Sequence, residues 1–234
     1  MHLKECNKPG FALEALMYDL ILFDLDGTLV NTIYSLSNAV NHSLRKFNMP
    51  QHTVMDIQSF VGNGILKLIE RSVPDGTPKE LEKSVYDEFK TYYTNNSLCE
   101  LHEYAGVKAL VDYIYSKNIP MAVVTNKNHE AACKIIDYMF PGKFTVVTGA
   151  KEELPKKPNK ALVELTVNQV KSKGYEVKNP VFIGDSEVDI QTGKNSGMDT
   201  VSVSWGFKTR DFLEENNAES IVDNTKQLME LLFQ

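Results

Sequence analysis

No stretch of this sequence is apolar for long enough to cross a bilayer, which takes about 20 residues. Cysteine is scarce too. Cys6, Cys99 and Cys133 are the only three in 234 residues, and they stand far apart without C-x-x-C spacing. That speaks against a disulfide framework and against a zinc site. Positive charge is in deficit: 25 Lys and Arg against 31 Asp and Glu leave a net charge of −6. An extended nucleic-acid surface is therefore not expected, because such surfaces are built from clustered Lys and Arg. A local lysine and a cation can still draw an anion into a cleft. The five histidines show no ligand spacing. Repeats and low-complexity segments are absent. Met1–Gly10 carries Lys4, Glu5 and Lys8 in place of a secretory apolar core. Together these absences predict a cytoplasmic protein with reduced thiols, no membrane or nucleic-acid partner, and a monomeric or homodimeric state.

What is present is a series of short, wholly apolar runs, each ending abruptly in polar residues. Leu20–Phe23 is the first. Met121–Val124, Phe144–Val147, Val181–Ile183 and Thr200–Val203 follow, with Ser220–Val222 as a short sixth. Continuous apolar runs of this length fit strands buried on both faces. Helical spacing separates them, as in Val107, Leu110, Val111 and Ile114, and less regularly in Ala131, Ile135 and Met139. The alternation predicts right-handed βαβ units and a doubly wound, Rossmann-like parallel sheet. Residues 31–103 interrupt it with helical stripes at Ile33, Leu36, Val40 and Leu44, at Ile65, Leu66 and Ile69, and at Leu81, Val85 and Phe89. Such a length far exceeds an ordinary βα loop. The expected organisation is an N-terminal extension over 1–17, an α/β core over 18–30 and 104–234, and a small all-helical cap over 31–103.

Open α/β sheets place their sites beyond the carboxyl ends of the strands. The residues there are Asp24 and Asp26, Thr125 and Asn126, and Asp185. Lys157 lies in a loop further along, in competition with Lys156 and Lys160. Asp24 and Asp26 stand two apart on an extended chain, which points both carboxylates the same way. That is costly unless a cation lies between them, and magnesium favours hard oxygen ligands. Gly27 lets the chain turn at once. Asp185 suits a helix N-cap as well as a metal. Asp189, one helical turn on, suits either the site or a helix surface. Asn126 and Ser186 are candidate helpers beside them.

Phe-Asp-Leu-Asp-Gly-Thr-Leu at 23–29 resembles the first motif of the haloacid dehalogenase-like phosphohydrolase superfamily. Val-Val-Thr-Asn at 123–126, Lys157-Pro158 and Gly-Asp-Ser-Glu-Val-Asp at 184–189 resemble the second, third and fourth. The resemblance runs from residue 18 to the C-terminus. It implies a magnesium-dependent phosphatase acting on a small phosphate ester. Asp24 would be the nucleophile and Asp26 the acid and then the base. Thr125 and Lys157 would hold phosphoryl oxygens, and Asp24, Asp26 (through its main-chain carbonyl) and Asp185 would bind the metal. Asp189 would hold Lys157 or a metal-bound water. Dehalogenating members lack the second acid, so Asp26 favours phosphoryl chemistry. Phe60-Val61-Gly62-Asn63-Gly64, Tyr104-Ala105-Gly106-Val107 and Ser204-Trp205-Gly206-Phe207-Lys208 resemble phosphoglycolate phosphatases. In that likeness Gly62, Asn63 and Gly64 would meet the substrate, although a plain helix-start turn explains them equally. Ala105 and Lys160 stand where that subfamily usually has proline. A phosphosugar mutase of β-phosphoglucomutase type would show the same four motifs. Sugar phosphates, nucleotides and pyrophosphate are alternative substrates. A receiver-type phosphoacceptor also gathers acids, Thr and Lys around magnesium, but it carries its acceptor Asp on a middle strand.

Overall fold

The computed structural model describes residues 18–61 and 64–233. The expected extension over residues 1–17, and with it the first part of the chain, lies outside these, as do Gly62 and Asn63. In chain order the elements are β1 (Leu20–Phe23), β2 (Val30–Asn31), α1 (Ile33–Lys46), α2 (Val54–Phe60), α3 (Ile65–Ser72), α4 (Lys79–Asn96) and β3 (His102–Glu103). There follow α5 (Val107–Ser116), β4 (Met121–Asn128), α6 (His129–Met139), β5 (Val146–Ala150), α7 (Ala161–Ser172), β6 (Pro180–Gly184), α8 (Glu187–Ser196), β7 (Asp199–Val203), α9 (Arg210–Glu215), β8 (Ile221–Val222) and α10 (Thr225–Leu232).

Six strands form one parallel sheet in the order β5-β4-β1-β6-β7-β8. β1 lies between β4 and β6, with Phe23 level with Val123 on one side and Ile183 on the other. Its alternation explains the unbroken apolar run. Ile21 and Phe23 enter a cluster with Val107, Leu110 and Ile114 of α5, Ile135 of α6 and Leu228 of α10. Leu20 and Leu22 enter another, with Leu162, Val163 and Val170 of α7. Both faces of the strand are thus buried, as parallel sheets require.

The helices α1–α4 enclose a separate apolar cluster that includes Leu36, Val40, Leu44, Ile57, Leu68, Ile69, Val85 and Phe89. Phe207, from the far end of the chain, is buried in it as well. Four features depart from the sequence reading. β2 and β3 pair antiparallel where the chain leaves the sheet region and returns. The helix α2 was not expected. On α3, Leu66 is 59% exposed while Leu68 takes the buried position beside Ile69. β5 begins at Val146, two residues later than the apolar run. Phe144 instead packs edge-on against Phe23 and Phe140, at centroid distances of 6.2 and 5.8 Å. Among the described residues, no helix is long and apolar enough to cross a membrane.

Candidate active site

The ends of β1, β4 and β6 bring three polar stretches to one place. Asp24 follows directly on β1, and its N–H donates to the Ile183 carbonyl at 2.8 Å. The chain then turns at Gly27, whose φ is +90°. A β-carbon there would collide with the Asp185 carboxylate, so glycine is needed both for the turn and for the close approach. Asp185 follows β6. Its Oδ2 accepts from the Phe207 N–H at 2.7 Å and its Oδ1 from the Thr28 hydroxyl at 3.3 Å. Gly206 is equally constrained, since a β-carbon would strike both Asp185 and the Gly27 carbonyl.

Asp189, on the first turn of α8, folds back on its own helix start. Its Oδ2 accepts from the Ser186 N–H at 3.1 Å and from the Ser186 hydroxyl at 2.6 Å. This arrangement caps the helix and leaves Oδ1 for Lys157, whose Nζ lies 2.7 Å away. The same Nζ lies 2.9 Å from Asp24 Oδ1, an ion pair rather than a well-angled hydrogen bond, since that oxygen accepts no hydrogen bond. Lys157 is buried while Lys156 and Lys160 are exposed, so of the three it is Lys157 that the fold turns inward. Asn126 orients the Lys157 main chain: its amide donates to the Lys157 carbonyl at 3.0 Å and accepts from the Lys157 N–H at 2.8 Å. Thr125 is buried within β4, directly after the apolar run Met121–Val124, and accepts from the Lys127 N–H at 3.2 Å.

Asp24, Asp185 and Asp189 each present a carboxylate oxygen within 4.8 Å of the others. Asp26 is not part of that trio. Its Oδ1 accepts from Lys127 Nζ at 2.8 Å and from the Thr32 hydroxyl at 2.7 Å. Lys127 in turn donates to the Tyr93 hydroxyl of α4 at 2.6 Å. Sequence reasoning assigned nothing to Lys127 or Tyr93. The legible signal was that Lys127 stands two residues beyond Thr125 on the same strand, hence on the same side. Thr125, Asn126, Lys157, Asp24, Asp26, Asp185, Ser186, Asp189 and Gly64 all line one cleft of about 710 Å³, mouth included.

The electrostatics show a shortage of positive charge. Burial raises the Asp24 pKa to about 6, with Asp189 and Asp26 adding to the rise and Lys157 opposing it. Burial likewise raises Asp185 well above the usual carboxylate range, and the charges of Asp189 and Asp24 raise it further. Burial disfavours the Lys157 charge, yet Asp189 and Asp24 outweigh that and its pKa is raised. Among the described residues the three buried carboxylates share one ammonium, so with all three ionised two negative charges would be left over. A hard divalent cation fits this donor set in charge and in ligand type.

Comparison with known proteins agrees with the geometry. The family model of haloacid dehalogenase-like hydrolases matches residues 21–203. A phosphoglycolate phosphatase of Haemophilus influenzae is 31% identical, over 92% of this chain and 98% of its own length. One from Pseudomonas syringae pv. tomato is 29% identical, over 90% of this chain and 78% of its own length. The crystal structure of a candidate phosphoglycolate phosphatase from Lactobacillus delbrueckii subsp. bulgaricus superposes with a TM-score of 0.83 at 30% identity, covering 92% of this chain and 98% of that one.

Proposed function

We propose, from the premise that this chain belongs to the haloacid dehalogenase-like hydrolase family and is a phosphatase of that family, that it hydrolyses a small phosphomonoester through a phosphorylated Asp24. Phosphoglycolate is the favoured substrate and magnesium the cofactor. One observation carries this reading: the buried trio of Asp24, Asp185 and Asp189, served among the described residues by Lys157 and standing beside a second acid, Asp26.

An Asp24 carboxylate oxygen would attack phosphorus, and the ester P–O bond would break. Asp26 would give its proton to the departing oxygen. It would then take a proton from the water that attacks the aspartyl-phosphate, releasing phosphate and restoring Asp24. Lys157 and the Thr125 hydroxyl would hold the transferred group's oxygens as charge gathers on them. Asn126 would keep Lys157 in register through its two main-chain hydrogen bonds. Asp24 and Asp185 are the side chains that would hold magnesium, together with the main-chain carbonyl of Asp26, and Asp189 would hold Lys157 or a metal-bound water. When bound, the ion offsets charge among these acids and on the phosphoryl group.

The helices of residues 31–103 would act as a cap that closes over the ester and keeps bulk water out. Leu36, Val61, Ile65 and Leu68 line the cleft from that side and offer no hydrogen bonds from their side chains. Gly64 lines it as well. Contact between substrate and Gly62 or Asn63 is part of the proposal but concerns residues outside those described.

The test is a screen of small phosphate esters, with released phosphate and isomerised product measured side by side. Phosphoglycolate should be turned over fastest, free phosphate should accumulate and chelation of magnesium should stop the reaction. Isomerised sugar phosphate without phosphate release would replace the hydrolase reading with a mutase. A rate indifferent to chelation would remove the metal.

A further inference from the structure

Three lysines line the cleft: Lys127, Lys157 and Lys208. Two of them are already matched. Lys157 is paired with Asp24 and Asp189, and Lys127 with Asp26, and both side chains are almost fully buried. Lys208 differs. It is half-buried, and no ion pair joins it to any carboxylate among the described residues. Its Nζ makes one long hydrogen bond, 3.3 Å to the Val61 carbonyl, and lies over the Phe212 ring, 5.2 Å from the centroid. An ammonium carries three donors. This one lines a cleft whose lining also includes the apolar group Leu36, Val61, Ile65 and Leu68.

That combination selects among phosphate esters. The trio and Lys157 would serve a phosphoryl group whatever its ester. The apolar wall would strand the hydroxyls of a sugar without partners, which costs affinity. An unmatched cation on the same cleft rewards a second negative charge on the substrate. We propose that Lys208 is a specificity-determining residue that binds the carboxylate of a short, carboxylated phosphate monoester and thereby discriminates against neutral and cationic esters. The inference rests on the phosphatase reading above. It adds a residue and a reason for the choice of ester.

A structural role competes with this one. Lys208 also ties the Val61 segment to the loop after β7, next to the hydrogen bond from the Gln58 side chain to the Phe207 carbonyl at 3.1 Å. If that were its whole contribution, removing it would loosen the cap for every substrate alike. The two roles separate when matched esters are compared. Phosphoglycolate and ethyl phosphate have the same two-carbon skeleton, and only the first carries a carboxylate.

In the magnesium-loaded full chain, Lys208→Gln should lower kcat/KM for phosphoglycolate by roughly 10- to 100-fold, the range expected for losing one charged hydrogen bond. Most of the change should fall on KM. Ethyl phosphate should change by less than about twofold, and Lys208→Arg should keep most of the preference for phosphoglycolate. An equal loss on both esters, or no loss on phosphoglycolate, overturns the proposal while leaving the phosphatase reading in place. A wild-type protein that hydrolyses other small phosphate esters but not phosphoglycolate removes the choice of substrate and this inference with it.

Discussion

Two buried lysines stand at the same cleft, and their surroundings differ in one respect. Lys157 is held entirely by residues at the ends of the sheet, namely Asp24, Asp189 and the Asn126 amide. Lys127 bridges two regions. It joins Asp26, at the end of β1, to Tyr93, on the longest helix of the insert. Burial disfavours the charge on Lys127 as on Lys157, but Asp26 and Tyr93 outweigh it and the pKa is raised. The Lys157 group can therefore keep its geometry wherever the helices lie. The Lys127 group is complete only when α4 lies against the core. In the proposed mechanism the first group holds the nucleophile and the second holds the acid and base. Attack would then be prepared by the core alone, and proton transfer would be tuned by the cap.

This contrast can be broken most severely at Asp24. Asp24→Asn should cut turnover by about 10⁴-fold or more, as loss of an essential nucleophile does. It should leave the circular dichroism spectrum unchanged, and appreciable remaining turnover would exclude Asp24 as the attacking group. Removing the cation from the core group comes next. Lys157→Met should destabilise the metal-free protein by about 3–5 kcal/mol, because it strands buried carboxylates. Urea unfolding with and without magnesium should show the added ion recovering part of that loss, whereas an unchanged midpoint would mean that the pair contributes little. Tyr93→Phe tests the bridging group. It deletes one hydrogen bond to Lys127 and should lower kcat by about tenfold, equivalent to about 1.4 kcal/mol. Magnesium affinity should stay as it is, and a matched fall in that affinity would show the two lysine groups to be a single network. The smallest effect belongs to a site remote from both. Thr53 caps α2, accepting from the Asp56 N–H at 3.2 Å. Thr53→Ala should cost about 1 kcal/mol in stability and leave turnover of the folded enzyme unaltered.

The same contrast decides what could be read from sequence. Most of the core group was legible because its members end a buried apolar run or open the helix behind it, and such ends converge in a parallel sheet. Asp24, Asn126, Asp185 and Asp189 stand out that way, whereas Lys157, in a loop between Lys156 and Lys160, is marked only by its place beside Pro158 in the third motif. Lys127 and Tyr93 do not stand out: the i+2 spacing from Thr125 hints at Lys127 alone, and its meeting with Tyr93 depends on how α4 packs against the core, of which local pattern carries no trace. Strands of two residues such as β2 and β3 are too short to show a period. α2 did carry a signal, the Thr53 to Asp56 capping box just before an apolar position at Ile57. β5 was set two residues early because Phe144 continues the apolar run while packing as an aromatic against Phe23 and Phe140. On α3, the stripe of Ile65, Leu66 and Ile69 put Leu66 inside, whereas tertiary packing buries Leu68 instead.

The proposed chemistry depends most on a covalent bond between phosphorus and Asp24. Acid quenching during turnover of phosphoglycolate, followed by borohydride reduction and peptide mass spectrometry, would find it. Homoserine at position 24, absent when substrate is withheld, is the predicted result. Homoserine at position 26 instead, or no reduced aspartate while phosphate is being released, would contradict it.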